Sequence, residues 1–251
     1  MKLSADQIAH LKLYRASTES IAGLTTNLVH QPDRRPSCLI VLMHGYGAPR
    51  DDLLGLAEPV LIECVRGNHS PALAFPGAQL ELDFGGAAWW PINMAKLMSM
   101  AAAQSFHQIR NEVPDGIDQA RVHIVDLISD CLKRFELDES RLIIGGFSQG
   151  AMLAVNVALM GLSSPPCGLC IWSGAHICED LYRRHAKDRL RSTKIFQSHG
   201  RFDPVLPVET GRYLRSFLSE LCDQVDYVEF DGVHQIPSEG IDGLANLLPA
   251  S

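Results

Sequence analysis

The sequence lacks an apolar run long enough to cross a membrane, and its first residues lack the apolar stretch of a secretory signal peptide. It also lacks an excess of positive charge, since the formal net charge at pH 7 is −7 and the isoelectric point is about 5.8. Nucleic acids and anionic lipid surfaces would repel such a chain. We therefore expect a cytoplasmic protein with no nucleic-acid partner and no integral membrane association.

The cysteines do not form the pattern of a disulfide framework. There are seven, an odd number, and they are scattered along the chain, so reduced thiols are expected. Cys167 and Cys170 form a single Cys-x-x-Cys spacing, with no second pair and no suitable histidine beside it. A buried strand is the favoured interpretation of this segment, and metal or redox chemistry is the alternative. We expect no metal and no cofactor.

The chain contains no internal repeat, low-complexity tract or linker, and its 251 residues can bury a substantial core. We predict one domain over residues 1–251. Apolar strands alternate with helical periods, which predicts an α/β fold with a doubly wound, mostly parallel sheet covered on both faces. Strands are expected at about 23–29, 37–43, 72–75, 142–145, 168–173, 194–198 and 225–230, and helices at about 6–14, 117–135, 209–222 and 241–248.

The most informative segment is a Gly-x-Ser-x-Gly sequence that follows an apolar strand and precedes a helical pattern. At such a strand-to-helix turn the serine adopts strained backbone angles, and the flanking Gly146 and Gly150 avoid collisions with neighbouring elements. The hydroxyl of Ser148 would therefore project from the top of a sheet. This context predicts a nucleophile that attacks a carbonyl carbon.

A serine needs a base within hydrogen-bond reach and a carboxylate that orients the base. In a doubly wound hydrolase these follow the serine in the order acid, then histidine, each after a later strand. Asp203 follows the strand at 194–198, and His234 follows the strand at 225–230. We assign them as acid and base.

Two neighbours compete for these roles. His199 also follows a strand, but it precedes the acid and abuts a glycine, so a role in holding the loop is favoured over proton transfer. Asp231 lies three residues before His234 and is the alternative orienting carboxylate.

The tetrahedral intermediate of acyl transfer needs two fixed N–H donors for its oxyanion. The backbone N–H of Gln149, directly after the nucleophile, is the expected first donor. The second is expected from the glycine-containing loop His44-Gly45-Tyr46-Gly47, which follows an early core strand, and the N–H of Tyr46 is the favoured group.

The region around residues 77–114 is predicted to form a small cap-like insertion that selects the substrate. It contains two adjacent tryptophans and several methionines after a glycine-rich loop, and part of it has helical spacing. The alternative is that this apolar stripe packs on the core. The residues predicted to line an acyl pocket are Trp89, Trp90, Met94 and Met98.

These motifs together resemble the phospholipase/carboxylesterase family of α/β-hydrolases, which includes the acyl-protein thioesterases. The resemblance extends over about residues 38–245. The matching segments are His44-Gly45-Tyr46-Gly47 with Asp52-Leu53, Phe75-Pro76-Gly77-Ala78, Trp89-Trp90-Pro91-Ile92, Gly146-Phe147-Ser148-Gln149-Gly150, His199-Gly200 with Asp203-Pro204 and Pro207, and Gly232 with His234.

The sequence departs from the family pattern at three places. Val233 stands where the family commonly has Gly before the catalytic His, Ala87 or Ala88 where it tends to have Arg, and Pro91 where it tends to have Asp. The resemblance implies an α/β-hydrolase fold and the triad, but it does not transfer any one member's substrate.

The sequence therefore predicts a serine carboxylesterase that acts on a small-molecule ester or thioester through an acyl-enzyme. The alternative within the class is an acyl thioesterase or lysophospholipase acting on long acyl chains. A hydrolase-fold ligand-binding protein with little turnover is the less favoured alternative, because a binder needs no oxyanion hole. The oligomeric state is open, and a homodimer is one option.

Overall fold

The computed structural model describes residues 3–93, 95–96, 99–100, 105–186 and 189–249. The strands are β1 Arg15–Ile21, β2 Leu24–His30, β3 Leu39–Met43, β4 Ala72–Pro76, β5 Leu80–Glu81, β6 Ala87–Ala88, β7 Leu142–Phe147, β8 Gly168–Trp172, β9 Lys194–Gly200 and β10 Val225–Phe230. The labelled α-helices are α1 Ala5–Leu11, α2 Ala57–Arg66, α3 Ile117–Phe135, α4 Gln149–Met160, α5 Glu179–His185, α6 Val208–Leu221 and α7 Ser238–Ala245. Short 3₁₀ helices occupy Asp52–Leu56, Phe106–Asn111 and Glu139–Arg141.

Eight strands form one sheet in the order β1-β2-β4-β3-β7-β8-β9-β10. The pairs from β4 to β10 are parallel, whereas β1 with β2 and β2 with β4 are antiparallel. This confirms the α/β-hydrolase fold class with a mostly parallel sheet. The carboxyl ends of β3, β7, β9 and β10 consequently face the same edge, where sites form in such sheets.

Alternation along the central strands divides the core into two layers. In β3, Leu39, Val41 and Met43 pack with helices α3 to α6, whereas Ile40 and Leu42 pack with α2 and α7. Successive side chains of a strand point to opposite faces, and both faces of this sheet are covered, so the strand reads as a continuous apolar run.

The sequence predicted α3 and β10 with the bounds that the structure gives, and the other predicted elements differ by a few residues at their ends. It missed β1, whose side chains are mostly exposed and polar and therefore lack apolar alternation. It also missed helix α5 and the two-residue strands β5 and β6, which are too short to produce a period.

The connection between β4 and α3 corresponds to the predicted insertion. It contains the hairpin of β5 and β6, helical backbone at positions 95–96 and 99–100, and the 3₁₀ helix Phe106–Asn111. Among the helices of the described ranges, none combines the length and apolarity needed to span a bilayer.

Candidate active site

Ser148 lies between β7 and α4 with φ 54° and ψ −115°, a strained conformation for a residue with a side chain. The glycines around it permit this turn. A Cβ on Gly146 would lie 2.4 Å from the carbonyl oxygen of Met43, and one on Gly150 would lie 2.1 Å from the same oxygen. Close packing of the turn against β3 therefore requires glycine at both positions, as the sequence motif indicated.

The structure brings Ser148, Asp203 and His234 together. The Nε2 atom of His234 lies 2.9 Å from Oγ of Ser148, and its Nδ1 atom lies 2.6 Å from Oδ2 of Asp203. With a neutral imidazole, Nδ1–H donates to the carboxylate and Nε2 accepts from the hydroxyl. The three side chains form a continuous hydrogen-bonded chain although they are separated by up to 86 positions in sequence.

The second oxygen of Asp203 is also satisfied. Its Oδ1 accepts from the backbone N–H of Val205 at 2.9 Å and of Leu206 at 2.8 Å. Burial alone would raise the pKa of Asp203, but the hydrogen bond with His234 and these two N–H donors lower it below its ordinary value. The carboxylate is thus held ionised and in a fixed orientation.

The two competing residues have other partners. His199 is fully buried, and its Nε2–H donates to the carbonyl of Leu206 at 2.8 Å, with Oδ2 of Asp203 at 3.4 Å. Burial lowers the pKa of His199, against the opposing effect of the bond with Leu206. Asp231 forms an exposed ion pair with Arg201. The geometry agrees with a loop-holding role for His199 and does not make Asp231 a partner of His234.

Tyr46 and Gln149 line the same cleft as Ser148. Within the described part of the chain, the backbone N–H groups of Tyr46 and Gln149 have no hydrogen-bond acceptor. Two such N–H donors in the same cleft as a serine hydroxyl are suited to binding an oxyanion, because fixed donors need no reorganisation when negative charge develops.

The side chain of His44 supports the loop that carries Tyr46 through two hydrogen bonds. The Nδ1–H of His44 donates to the carbonyl of Gly45 at 2.8 Å, and its Nε2 accepts the N–H of Ala78 at 3.0 Å. Burial lowers the pKa of His44, although the bond to Gly45 acts in the opposite direction. His44 is therefore a neutral structural group that ties the loop to the segment after β4.

A cleft of about 1070 Å³ opens above Ser148 and His234. Its walls are mainly apolar, and the side chains of Lys96 and Glu112 form an ion pair at 2.6 Å on its lining. Such a cleft accommodates a ligand with an apolar portion next to a carbonyl group. Its apolar lining residues include Trp90, Pro91, Ile92, Met100, Ile109, Val113, Met152, Ile177 and Leu206.

The four residues predicted to bind substrate have different positions. Trp90 lines the cleft. Trp89 does not, and this corrects the prediction: its ring packs against His44 at a centroid distance of 5.2 Å, and its indole N–H donates to the carbonyl of His44 at 2.9 Å. A buried indole N–H needs such an acceptor, which turns this ring away from the cleft. Met94 and Met98 lie outside the described residues.

Sequence reasoning missed several lining residues, notably Ile109, Met152 and Ile177. Met152 is one turn after Ser148 on α4 and could have been found from helical spacing, whereas Ile109 and Ile177 depend on the path of irregular segments.

In the portion of the chain that the structure describes, no group of three or more His, Cys, Asp or Glu side chains is arranged to hold a metal ion. Cys170 lies in β8 with its side chain fully buried, and burial raises its pKa well above the ordinary value. The Sγ of Cys167 donates to the carbonyl of Leu142 at 3.0 Å. The interpretation of this segment as a buried strand is confirmed for Cys170.

A family model described as phospholipase/carboxylesterase matches residues 24–250 of the chain. The chain belongs to this family. Membership makes it a serine hydrolase of the esterase type, which agrees with the strained Ser148 and the hydrogen-bonded chain behind it.

Curated relatives of this family member include two proteins named acyl-protein thioesterase 1. The protein of Saccharomyces cerevisiae is 24% identical over 242 residues, which is 91% of this chain and 98% of the relative. The protein of Yarrowia lipolytica is 27% identical over 222 residues, covering 83% and 89% of the two chains.

Solved structures share the fold of this phospholipase/carboxylesterase chain. The crystal structure of esterase PE8 matches with a TM-score of 0.70 at 21% identity, covering 89% of this chain and 96% of the other. A carboxylesterase from Mesorhizobium loti matches with a TM-score of 0.69 at 15% identity, covering 92% and 97%. At these identities the likeness establishes the fold.

The three departures from the family pattern lie in different surroundings. Val233 is 48% exposed and directly precedes His234. Ala87 is buried in the hairpin, where its N–H donates to the carbonyl of Ala48 at 2.9 Å, and Pro91 lines the cleft. Of the three positions, Pro91 is the one that lies on the cleft lining.

Proposed function

We propose that the protein is a carboxylesterase in which Ser148 is the nucleophile, His234 the general base and Asp203 the orienting acid. The observation that carries this proposal is the continuous chain of hydrogen bonds from Asp203 through His234 to Ser148 on the lining of an apolar cleft. The whole chain works as one domain in this proposal, because the first and last strands belong to the same sheet.

In the first half-reaction, Oγ of Ser148 forms a bond to the ester carbonyl carbon while its proton passes to Nε2 of His234. The carbonyl electrons move onto oxygen, and the N–H groups of Tyr46 and Gln149 bind that oxyanion. When the tetrahedral intermediate collapses, the bond to the alcohol breaks and His234 gives its proton to the leaving oxygen. An acyl group remains on Ser148.

In the second half-reaction, a water molecule loses a proton to His234 and bonds to the acyl carbon. The second tetrahedral intermediate collapses with cleavage of the bond to Oγ, and the proton on His234 returns to Ser148. The acid product leaves. Asp203 stabilises the imidazolium in both halves, and the two backbone donors on its other oxygen keep it aligned.

An acyl thioesterase is the second candidate, and the curated relatives named acyl-protein thioesterase 1 favour it. The same residues can serve either reaction, because a thioester carbonyl passes through the same kind of oxyanion. A binding protein with little turnover is disfavoured, since two backbone donors without acceptors flank Ser148.

A steady-state substrate panel tests the proposal. It comprises p-nitrophenyl esters from acetyl to palmitoyl, together with palmitoyl-CoA and lysophosphatidylcholine. A carboxylesterase gives sustained turnover of the esters and a kcat/KM on them above that on either long-chain substrate. A higher kcat/KM on palmitoyl-CoA selects the thioesterase, and a higher value on lysophosphatidylcholine selects a lysophospholipase. A burst of p-nitrophenol without steady-state turnover selects the binding protein.

A further inference from the structure

The side chain of Gln149 has a second set of contacts that its backbone role does not use. The side chain is almost completely buried, with the residue 1% exposed. Its Oε1 accepts the backbone N–H of Trp89 at 2.9 Å, and its Nε2 donates to the backbone carbonyl of Trp90 at 2.8 Å. The amide therefore forms hydrogen bonds with two successive residues of the insertion, which are 60 and 59 positions away in sequence.

Both of these backbone groups bond to the amide of Gln149. In the ranges that the structure covers, the N–H of Trp89 and the carbonyl of Trp90 have no other hydrogen-bond partner. Both residues are buried, at 7% and 3% exposure, so water cannot easily replace the amide. Loss of the side chain would leave a buried donor and a buried acceptor unpaired.

The contacts continue to the loop of the second oxyanion donor. The indole N–H of Trp89 donates to the carbonyl of His44 at 2.9 Å, and His44 in turn bonds to Gly45 and Ala78. Tyr46 directly follows Gly45 in the chain. The side chains of Gln149 and Trp89 together thus join the turn of Ser148 to the loop of Tyr46.

The hydrogen bonds of the Gln149 amide also hold one wall of the cleft in place. Trp90 lines the cleft, and its carbonyl is the atom that Nε2 of Gln149 holds. The insertion does not pair with the eight-stranded sheet at this point. Backbone bonds of Ala87 with Gly47 and Ala48 anchor the hairpin three residues earlier, and the bond from Gln149 ties Trp90 itself to the turn of Ser148.

We propose that the side-chain amide of Gln149 is a positioning group that sets Trp90 and the Tyr46 loop at their working distance from Ser148. The proposal rests on the esterase function proposed above. Glutamine is specifically suited to this role because its amide presents an acceptor and a donor together. Methionine has a similar length but offers neither strong interaction, and an ionised glutamate offers only acceptors.

The test uses Gln149→Met and Gln149→Glu, assayed with acetyl and octanoyl p-nitrophenyl esters from pH 5.5 to 8.5. Gln149→Met should lower kcat/KM by about 10- to 100-fold, because small displacements of reacting groups have effects of this size. The octanoyl-to-acetyl ratio of kcat/KM should change as well, by about fivefold or more, since Trp90 forms the wall.

Gln149→Glu supplies a partial rescue. The neutral carboxyl has both an acceptor and a donor, so this variant should exceed Gln149→Met at pH 5.5 and lose activity relative to wild type as its carboxyl ionises. His44 faces the same network, and both of its ring nitrogens are engaged. The wild-type pH profile, measured in parallel, is the reference with which the profile of the variant is compared.

A matched control lies on the same helix. Asn156 is fully buried, and its amide bonds to Tyr182 and Arg121 away from the cleft. Asn156→Leu should lower thermal stability without changing the octanoyl-to-acetyl ratio. Rates are divided by the folded fraction from circular dichroism, so partial unfolding of a variant does not imitate the effect.

Two failures are distinguishable. If wild type shows no steady-state ester turnover, the proposed function is wrong. If wild type turns over but both folded variants keep its chain-length ratio within twofold and Gln149→Glu has a pH-independent relative rate, the Gln149 amide is only a packing group. If Gln149→Met fails to fold, the octanoyl-to-acetyl ratio of kcat/KM and the pH profile of Gln149→Glu decide between the positioning role and the packing role.

Discussion

The two walls of the cleft are held in different ways. The wall with Ser148, Asp203 and His234 is formed where β7, β9 and β10 end, so the ladder of backbone hydrogen bonds sets the spacing of these residues. The opposite wall, with Trp90, lies outside that ladder. It is held by the side-chain bonds of Gln149 together with two backbone bonds between Ala87 and the loop after β3.

This difference separates chemistry from selection. Substitutions on the sheet wall should reduce the rate with every substrate, because they remove groups that act on the carbonyl itself. Substitutions on the opposite wall should change the ranking of substrates, because they alter contacts with the remote acyl chain. The following predictions test that separation, from the largest expected effect to the smallest.

Ser148→Ala should lower kcat on the order of 10⁴- to 10⁶-fold for every ester, because it removes only the attacking oxygen. The circular dichroism spectrum and melting temperature should remain close to wild type. Steady-state kinetics with acetyl and octanoyl esters provide the measurement. Activity within tenfold of wild type, or a loss restricted to one chain length, would refute the role of Ser148.

Asp203→Asn should reduce kcat/KM at least about 10²-fold more than Asp231→Asn. The amide of Asn at position 203 no longer compensates the imidazolium and favours the wrong tautomer of His234, whereas Asp231 pairs with Arg201 on the surface. Parallel kinetics of the two variants provide the comparison. The reverse order of damage would make Asp231 the functional acid.

Trp90→Ala should lower kcat/KM for long acyl chains by about one to two decades, since burial of an aromatic side chain contributes roughly 1.5 to 3 kcal/mol. The loss should increase with chain length if the ring contacts distal methylenes. Trp172→Phe is the matched control, because Trp172 is fully buried in β8 and does not line the cleft. A Trp90→Ala enzyme with reduced stability and an unchanged acetyl-to-octanoyl ratio would assign Trp90 to the core.

The smallest expected effect concerns the stability of the folded protein at low pH rather than the reaction in the cleft. His176 is buried, and its ring centroid lies 4.5 Å from that of Phe217. Burial lowers the pKa of His176 to about 4, although the negative charge of Glu179 acts in the opposite direction. Because the folded pKa lies below the unfolded value of about 6.5, the unfolded state binds more protons between these values and stability falls as pH drops through this window.

His176→Leu should remove this dependence. The free energy of unfolding should therefore fall by about 2 kcal/mol less between pH 7 and pH 5 in the variant than in wild type. Urea denaturation at the two pH values measures the difference. Equal pH dependence in both proteins would contradict the neutral state of His176.

The sequence predicted the sheet wall because strand ends and turn glycines leave local signals. The elbow at Ser148 and the strand-end positions of Asp203 and His234 follow from the alternation of elements and the chain order of such sites. The opposite wall leaves no comparable signal. Trp89 and Trp90 are adjacent, yet one points to His44 and the other to the cleft, and this depends on a hydrogen bond with Gln149 that no period encodes.

The most direct test of the central claim is to map covalent modification by a fluorophosphonate, which reacts with activated serine hydroxyls. Mass spectrometry of the digested protein identifies the modified residue and its stoichiometry. The account predicts one phosphonyl group per chain, on Ser148, no labelling of Ser148→Ala, and slower labelling of Asp203→Asn than of Asp231→Asn. Modification of another residue in wild type, or undiminished labelling of Ser148→Ala, would contradict it.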